Sequence, residues 1–169
     1  MSQLPLSHAV QVAEVPPSGL DVVLKPDAAA CAALAAHAGV LALSGLTARF
    51  HVAQEGAGGL HVTGTVEAMV RQACGVTLDP FDAPLHEPVD VHFAPAGTAR
   101  DADPEEDEAY DPPDEIVNGA IDLGALANEF LTLGIDPYPR KPGAVFEPPP
   151  EGPGNPSPFS ALTKLKRDE

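Results

Sequence analysis

The chain has 169 residues, with nine Lys and Arg against 25 Asp and Glu, and a formal net charge of -16 at pH 7. This length fits one domain with tails better than two domains. The charge excludes a broad surface for a phosphate backbone, because such binding gains its free energy from Lys and Arg, and it favours basic partners.

The first predicted helix covers "AAACAALAAHAG", residues 28–39. Asp27 is a suitable N-cap, because its carboxylate can accept hydrogen bonds from the free backbone N–H groups of the first turn. Gly39 suits the left-handed conformation that ends many helices. The helical period places three apolar residues on the buried face: Cys31, Leu34 and Ala38.

Alternation of apolar and polar residues predicts three strands of an antiparallel sheet. The segments "LTARFHVAQ" and "LHVTGTVEAMV" flank the turn "EGAGG" and therefore form a long hairpin, in which His51 and His61 are candidates for facing each other. A third strand, "LHEPVDVHFAP" at residues 85–95, follows a proline-flanked turn. The predicted fold class is α+β, with this sheet covered by two helices.

An acidic loop is predicted at residues 97–118. Its centre, "DADPEEDEAYDPPDE" at residues 101–115, has nine acidic residues and no Lys or Arg. Such a composition resists collapse, so we expect a mobile segment without secondary structure.

The second predicted helix, "LGALANEFLTLG", begins after Asp122, which is a natural N-cap. Its apolar residues recur at the helical period and predict one stripe that lies on the sheet. The stripe consists of Leu123, Leu126, Ala127, Phe130 and Leu133.

These elements divide the chain into three parts. Residues 1–19 form an N-terminal strand or arm, residues 20–146 form the α+β domain, and residues 147–169 form a Pro-rich tail with a short, basic, amphipathic end. The N-terminal residues lack the basic and apolar regions of a secretion signal, and no apolar run reaches the roughly 20 residues that span a bilayer. We therefore expect a cytoplasmic protein without membrane contact.

Cys74 is the residue that decides between an enzyme and a binding protein. A catalytic thiol needs a nearby base, for which the sequence offers His86 or His92, and a zinc site needs about four ligands. Thr77 stands where a CxxC pair would have its second cysteine. Because unpaired cysteine is usually a small buried apolar residue, we expect no enzyme, no metal and no cofactor. A thiol- or metal-dependent enzyme is the remote alternative.

The segments "VTGTVEAMVRQACGVTLDPFDAPLHEPVDVHFAP" and "IDLGALANEFLTLGIDPYPR" together resemble the YceD family, in its alphaproteobacterial form. The signature residues are Gln72, Cys74, Val76, Thr77, Leu78, Asp79 and Pro80. The segment "DPYPRKPGAVF" at residues 136–146 is similar to the matching C-terminal part, and the tail carries the terminal pattern of Phe, Leu, Leu and Lys. Other branches have a CxxC pair and later cysteines, where this chain has Thr77 and Arg140-Lys141.

The resemblance implies a non-enzymatic ribosome biogenesis factor for accumulation of large-subunit rRNA. An acidic protein attracts basic ribosomal proteins, so we expect a ribosomal protein or a pre-large-subunit particle as partner, with rRNA contacted indirectly. The alternative is direct RNA binding through Arg140, Lys141 and residues 164–167. The candidate contact residues are Asp136, Tyr138, Pro139, Arg140, Lys141, Phe159, Leu162, Leu165 and Lys166.

Overall fold

A computed structural model describes residues 5–97, 112–146 and 148. These residues form an α+β fold, as predicted, with two helices and a mostly antiparallel five-stranded sheet in the order β2-β3-β4-β5-β6, beside a small β1-β7 sheet. The elements are β1 (Ala9–Gln11), β2 (Leu20–Leu24), α1 (Ala28–Ala38), β3 (Ala42–Glu55), β4 (Gly59–Ala73), β5 (Pro80–Pro95), β6 (Asp114–Ile116), β7 (Ala120–Asp122) and α2 (Leu123–Leu133).

The predicted hairpin is formed by β3 and β4, and both strands are longer than the periodic segments that predict them. β4 then pairs antiparallel with β5 from Leu60, opposite Phe93, to Ala73, opposite Pro80. The proline-flanked turn predicted after Cys74 is therefore wrong beyond residue 79, because "PFDAP" is the start of β5. Prolines are tolerated there because β5 is an edge strand over most of its length.

Helix α1 begins and ends where the sequence predicts. The Asp27 carboxylate accepts a hydrogen bond from Ala30 N–H at 2.8 Å, and Gly39 has a φ of 71°. Cys31 and Leu34 are buried against the sheet. The prediction for Ala38 is wrong, because this residue is half-buried in the last turn and Ala35 is buried instead.

Helix α2 also forms as predicted after Asp122. The predicted apolar stripe is wrong at its last residue, since the Leu133 side chain is exposed and Leu131 is fully buried instead. The buried side of α2 includes Gly124, where an added Cβ would lie 2.6 Å from the Ser7 backbone. Gly124 and Leu131 are seven residues apart and lie on the same side of the helix, so the side that meets the N-terminal arm includes Leu131 and not Leu133.

The acidic loop predicted at residues 97–118 contains a strand. Residues 114–116 form β6, which pairs parallel with β5 where Phe93 lies opposite Asp114. The expectation of no secondary structure at residues 101–115 is therefore wrong at its last two residues, and the sheet has one parallel edge. Residues 98–111 lie outside the described residues.

The N-terminal arm is joined to the rest of the fold through β1, which pairs with β7 so that Val10 lies opposite Ile121. Val10 and Val15 are both buried and belong to the same apolar core as the two helices and the sheet. The core therefore needs residues from the first 15 positions of the chain. In the described part of the chain, no helix is long and apolar enough to cross a membrane.

The two faces of the sheet differ in character. Alternate residues of β3 and β4, such as Phe50 and Val62, are buried under the helices. The opposite face of the sheet, here called the open face, carries histidines, arginines and carboxylates that pair with one another across the strands. This face contacts solvent.

Candidate functional site

Hydrogen bonds join the turn after β4, residues 74–79, to the C-terminal segment at residues 136–146. The Gln72 side chain donates from Nε2 to the Asp136 carbonyl at 2.9 Å, and Gly75 N–H donates to the Pro139 carbonyl at 2.8 Å. Between these contacts, Lys141 N–H donates to Cys74 Sγ at 3.4 Å. Two sequence motifs more than 60 residues apart therefore form one site.

The turn itself is closed by backbone bonds around Cys74. Cys74 N–H donates to the Asp79 carbonyl and Leu78 N–H donates to the Cys74 carbonyl, both at 2.9 Å. Val76 N–H donates to Cys74 Sγ, and Asp79 N–H donates to the Thr77 hydroxyl oxygen, both at 3.4 Å. The sulfur atom is thus the acceptor at the centre of a tight backbone turn.

The Cys74 thiol group is fully buried, yet its pKa is lowered from 9.0 to about 6. The largest cause is the hydrogen bond from Lys141 N–H, followed by bonds from Thr77, and these outweigh the effect of burial, which raises the pKa. The lowered pKa favours the Cys74 thiolate. The sulfur atom accepts from backbone N–H groups of both segments and links them to each other, and a thiolate strengthens these hydrogen bonds.

Stability should depend on pH through this thiolate. Because the pKa of Cys74 is lower in the folded protein, its contribution is complete above 9.0 and is lost as the pH falls through about 6. Denaturant unfolding of the wild type and of Cys74→Ser should therefore diverge as the pH rises from 6 to 9.0, with the wild type increasingly the more stable.

Cys31→Ser is the matched control, because that thiol is also buried but lies 3.8 Å from the Pro26 carbonyl, away from the turn and the C-terminal segment. The Cys31→Ser variant should run parallel to the wild type over the same pH range. Parallel curves for Cys74→Ser would contradict the thiolate.

The joined segments present exposed apolar side chains, here called the apolar surface. Its members are Leu78, Tyr138, Val145 and Phe146, with exposed fractions of 77%, 83%, 72% and 69%. Leu78 has a φ of 62°, a conformation that is costly for a bulky residue and that the surrounding turn imposes. Strained backbone positions cluster at functional sites, so Leu78 is a candidate contact residue.

Charged groups frame the apolar surface. The Lys141 ammonium group lies 3.4 Å from an Asp79 carboxylate oxygen, so the two segments are also linked by an ion pair. The Asp136 carboxylate accepts a hydrogen bond from Tyr138 N–H at 2.8 Å, which holds the backbone next to the exposed tyrosine. Arg140 is exposed next to them.

The candidate residues from the sequence fall into two groups. The structure brings together Gln72, Cys74, Val76, Thr77, Leu78, Asp79, Pro80, Asp136, Tyr138, Pro139, Arg140 and Lys141. Phe159, Leu162, Leu165 and Lys166 lie outside the described residues. The sequence reasoning omits Gly75, whose backbone N–H donates to the Pro139 carbonyl at 2.8 Å, because a backbone hydrogen bond leaves no signal in the residue type.

The predicted pairing of His51 with His61 across the hairpin is wrong. The register of β3 and β4 places His51 opposite Thr63 and His61 opposite Ala53, because the turn is centred on residue 57, one position beyond where that pairing requires. His61 instead lies opposite His92 of β5.

Comparison with known protein families identifies the family to which this chain belongs. The family described as large ribosomal RNA subunit accumulation protein YceD matches residues 62–166, which is more than half of the chain. The chain belongs to the YceD family. Searches of curated proteins and of solved structures found no match. The name of the YceD family places the chain in ribosome biogenesis, in the accumulation of large-subunit rRNA.

Both segments of the site lie within the matched range. The turn at residues 74–79 and the C-terminal segment are thus within the part of the chain that matches the family, whereas β1, β2, α1 and β3 precede the match. The site is therefore the natural place to look for the activity of the family.

Proposed function

We propose that this YceD protein is a non-enzymatic assembly factor that binds a basic ribosomal protein, free or within a pre-large-subunit particle, through the apolar surface and the acidic groups around it. The observation that carries the proposal is the set of hydrogen bonds around Cys74 that joins two segments bearing four exposed apolar side chains. Exposed apolar side chains held in place by such a framework are typical of protein interaction sites.

Electrostatics favours a protein partner over RNA. The chain has a net charge of -16, so its field attracts cationic proteins and repels a phosphate backbone. The Lys141 side chain, a candidate RNA contact, is paired with Asp79 at 3.4 Å. Arg49 and Arg71 on the open face are paired with Glu67 and Asp82, at 2.7 and 2.8 Å. Little unpaired positive charge is available there for phosphates.

The position of Cys74 supports a binding role rather than catalysis. A nucleophilic thiolate must reach its substrate, whereas the Cys74 side chain has no exposed surface. Its low pKa has a structural use, because each bond to the sulfur atom joins the turn or the C-terminal segment. The hydrogen bonds that lower the pKa of Cys74 therefore also hold the turn and the C-terminal segment together.

The proposal predicts a loss of partner capture when the apolar surface is shortened. The double variant Leu78→Ala, Tyr138→Ala should retain the wild-type melting temperature, because both side chains are mostly in solvent. Capture of the basic ribosomal protein from lysate by the tagged full chain, with nuclease present, should fall about tenfold or more, as expected for the loss of an aromatic anchor. The measurement is quantitative mass spectrometry of the captured proteins.

Val117→Ala is the control, because Val117 is 62% exposed but lies outside both segments. It should leave capture unchanged. Equal capture by the wild type and the double variant would remove the apolar surface from the mechanism. Loss of all ribosomal partners on nuclease treatment of the wild type would favour direct RNA binding instead.

A further inference from the structure

A second cluster of chemically active side chains lies on the open face, away from the apolar surface. It consists of His61 on β4 and of Asp90 and His92 on β5. One nitrogen of each imidazole and one carboxylate oxygen lie within 4.8 Å of one another. In the described part of the chain, this is the group with three side chains placed so that they could share an ion.

Strand register creates the cluster. His61 lies directly opposite His92, and Asp90 lies two residues earlier on β5, so that its side chain is on the same face. The two imidazole rings are stacked with centroids 4.1 Å apart and an angle of 4° between their planes. The Asp90 Oδ1 atom lies 2.6 Å from His61 Nε2 and 4.0 Å from His92 Nε2.

Glu55, the last residue of β3, orients the second imidazole. Its Oε2 atom lies 2.6 Å from His92 Nδ1. A proton on Nδ1, held by this carboxylate, leaves the lone pair on Nε2, the nitrogen that faces Asp90. A carboxylate that holds the far nitrogen of a histidine is the usual support of metal-binding histidines in proteins.

We propose that His61, Asp90 and His92 bind one divalent transition-metal ion, with Zn²⁺ the best match, and that Glu55 positions His92 for it. Two imidazoles and a carboxylate are ligands that zinc accepts, and water would complete a tetrahedral site. The stacked rings must turn apart to point both nitrogens at one ion. Space for this rotation exists on the solvent side of the sheet, where 32% and 49% of the two side chains are exposed.

The open face supplies its own matched control. His51 is also a strand histidine with a carboxylate partner, Asp21, at 2.6 Å. In the described residues it has no second histidine in a ligand cluster. Its replacement changes the charge and histidine content of the same face without touching the proposed ligands.

The test uses the full chain, freed of metal by chelation and dialysis, and titrated with Zn²⁺ in a calorimeter. The wild type and His51→Gln should each bind one ion per chain and should melt at a higher temperature with Zn²⁺ than without it. His61→Gln and His92→Gln should lose both effects while melting like the wild type without metal. Glu55→Gln should bind about 10- to 100-fold more weakly.

Cobalt distinguishes this site from Cys74, since Co²⁺ bound to a thiolate gives an intense near-ultraviolet charge-transfer band that Co²⁺ bound by nitrogen and oxygen lacks. The wild type should show visible Co²⁺ bands without that feature, and His61→Gln should show none. The proposal is overturned if the wild type binds no ion, if His61→Gln binds as tightly as His51→Gln, or if the thiolate band appears and persists in the histidine variants.

Discussion

Gly64→Ala should lower the free energy of unfolding by about 3 kcal/mol or more, as an overpacked position in the centre of a sheet does. Gly64 lies in the middle of β4, opposite Phe50 on β3 and Val89 on β5. An added Cβ would overlap the Arg49 carbonyl oxygen and would lie 3.0 Å from the Phe50 Cα atom. These are backbone atoms of a paired strand, so they cannot yield without disturbing the β3–β4 register.

Urea unfolding measures this loss, and Gly75→Ala is the control. A Cβ at Gly75 would meet the Pro139 carbonyl oxygen at 3.6 Å, which is an ordinary contact. We expect a change below about 1 kcal/mol there. Similar losses at the two glycines would show that general intolerance of side chains, and not backbone overlap at β3, determines the effect.

Asp122→Ala should cost about 3 kcal/mol, because this carboxylate serves two elements at once. It caps α2 by accepting from Gly124 N–H and Ala125 N–H, at 2.8 and 3.1 Å. It also accepts from His8 N–H at 2.8 Å and from the Ser7 hydroxyl at 2.7 Å, which attaches the N-terminal arm to the helix. Its removal therefore uncaps α2 and releases the arm together.

The pH dependence of this loss has a defined sign. Burial raises the pKa of Asp122, but the bonds from His8, Ser7, Ala125 and Gly124 together hold it below 3.8. The contribution of Asp122 is therefore complete above 3.8 and is lost as the pH falls through the lowered pKa. Denaturant unfolding of the wild type and of Asp122→Ala should converge only in strong acid.

Asp27→Ala is the companion variant, because Asp27 caps α1 through Ala30 N–H at 2.8 Å and its carboxylate bonds to no other element among the described residues. Its expected cost is about 1 kcal/mol, the usual value for a helix N-cap. Equal costs for Asp27→Ala and Asp122→Ala would mean that the bonds to the N-terminal arm contribute nothing to stability.

The sequence predicts those elements whose signal is local. The hairpin follows from alternation around "EGAGG", and both helices follow from an aspartate cap and a run of helix formers. β6 has no such signal, because three residues next to an acidic tract show no period and pair only where β5 presents a free edge. Leu133 is misplaced because helix rotation depends on a tertiary contact, the approach of Ser7 to Gly124.

The candidate site is predictable as two separate motifs but not as one surface. The family resemblance selects the turn at residues 74–79 and the segment at residues 136–146, yet no sequence spacing shows that Lys141 N–H reaches Cys74 Sγ. The lowered pKa of Cys74 depends on that long-range bond. The sequence expectation of a merely apolar cysteine misses this role for the same reason.

The histidine cluster also depends on contacts that spacing along the chain does not show, in this case on strand register. His61 and His92 are 31 positions apart, and only the pairing of β4 with β5 makes them neighbours. The sequence predicts no metal site, because the usual signal for such a site is close spacing of the ligands along the chain, which His61 and His92 lack. Extending the residue pairing outward from the turn between β4 and β5 would place His61 beside His92.

The order of strands in the sheet also determines how the protein can be divided for experiment. The family match begins at residue 62, inside β4, whereas β4 has β3 as its partner on one side. A fragment of residues 62–166 would carry the whole candidate site but would expose that edge of β4 and would lack the apolar side chains of α1, β1 and β2. The homologous segment and the folding unit therefore differ in extent. We expect the homologous segment alone to be unfolded. Failure of that fragment to bind a partner would therefore say nothing about the surface that includes Leu78 and Tyr138.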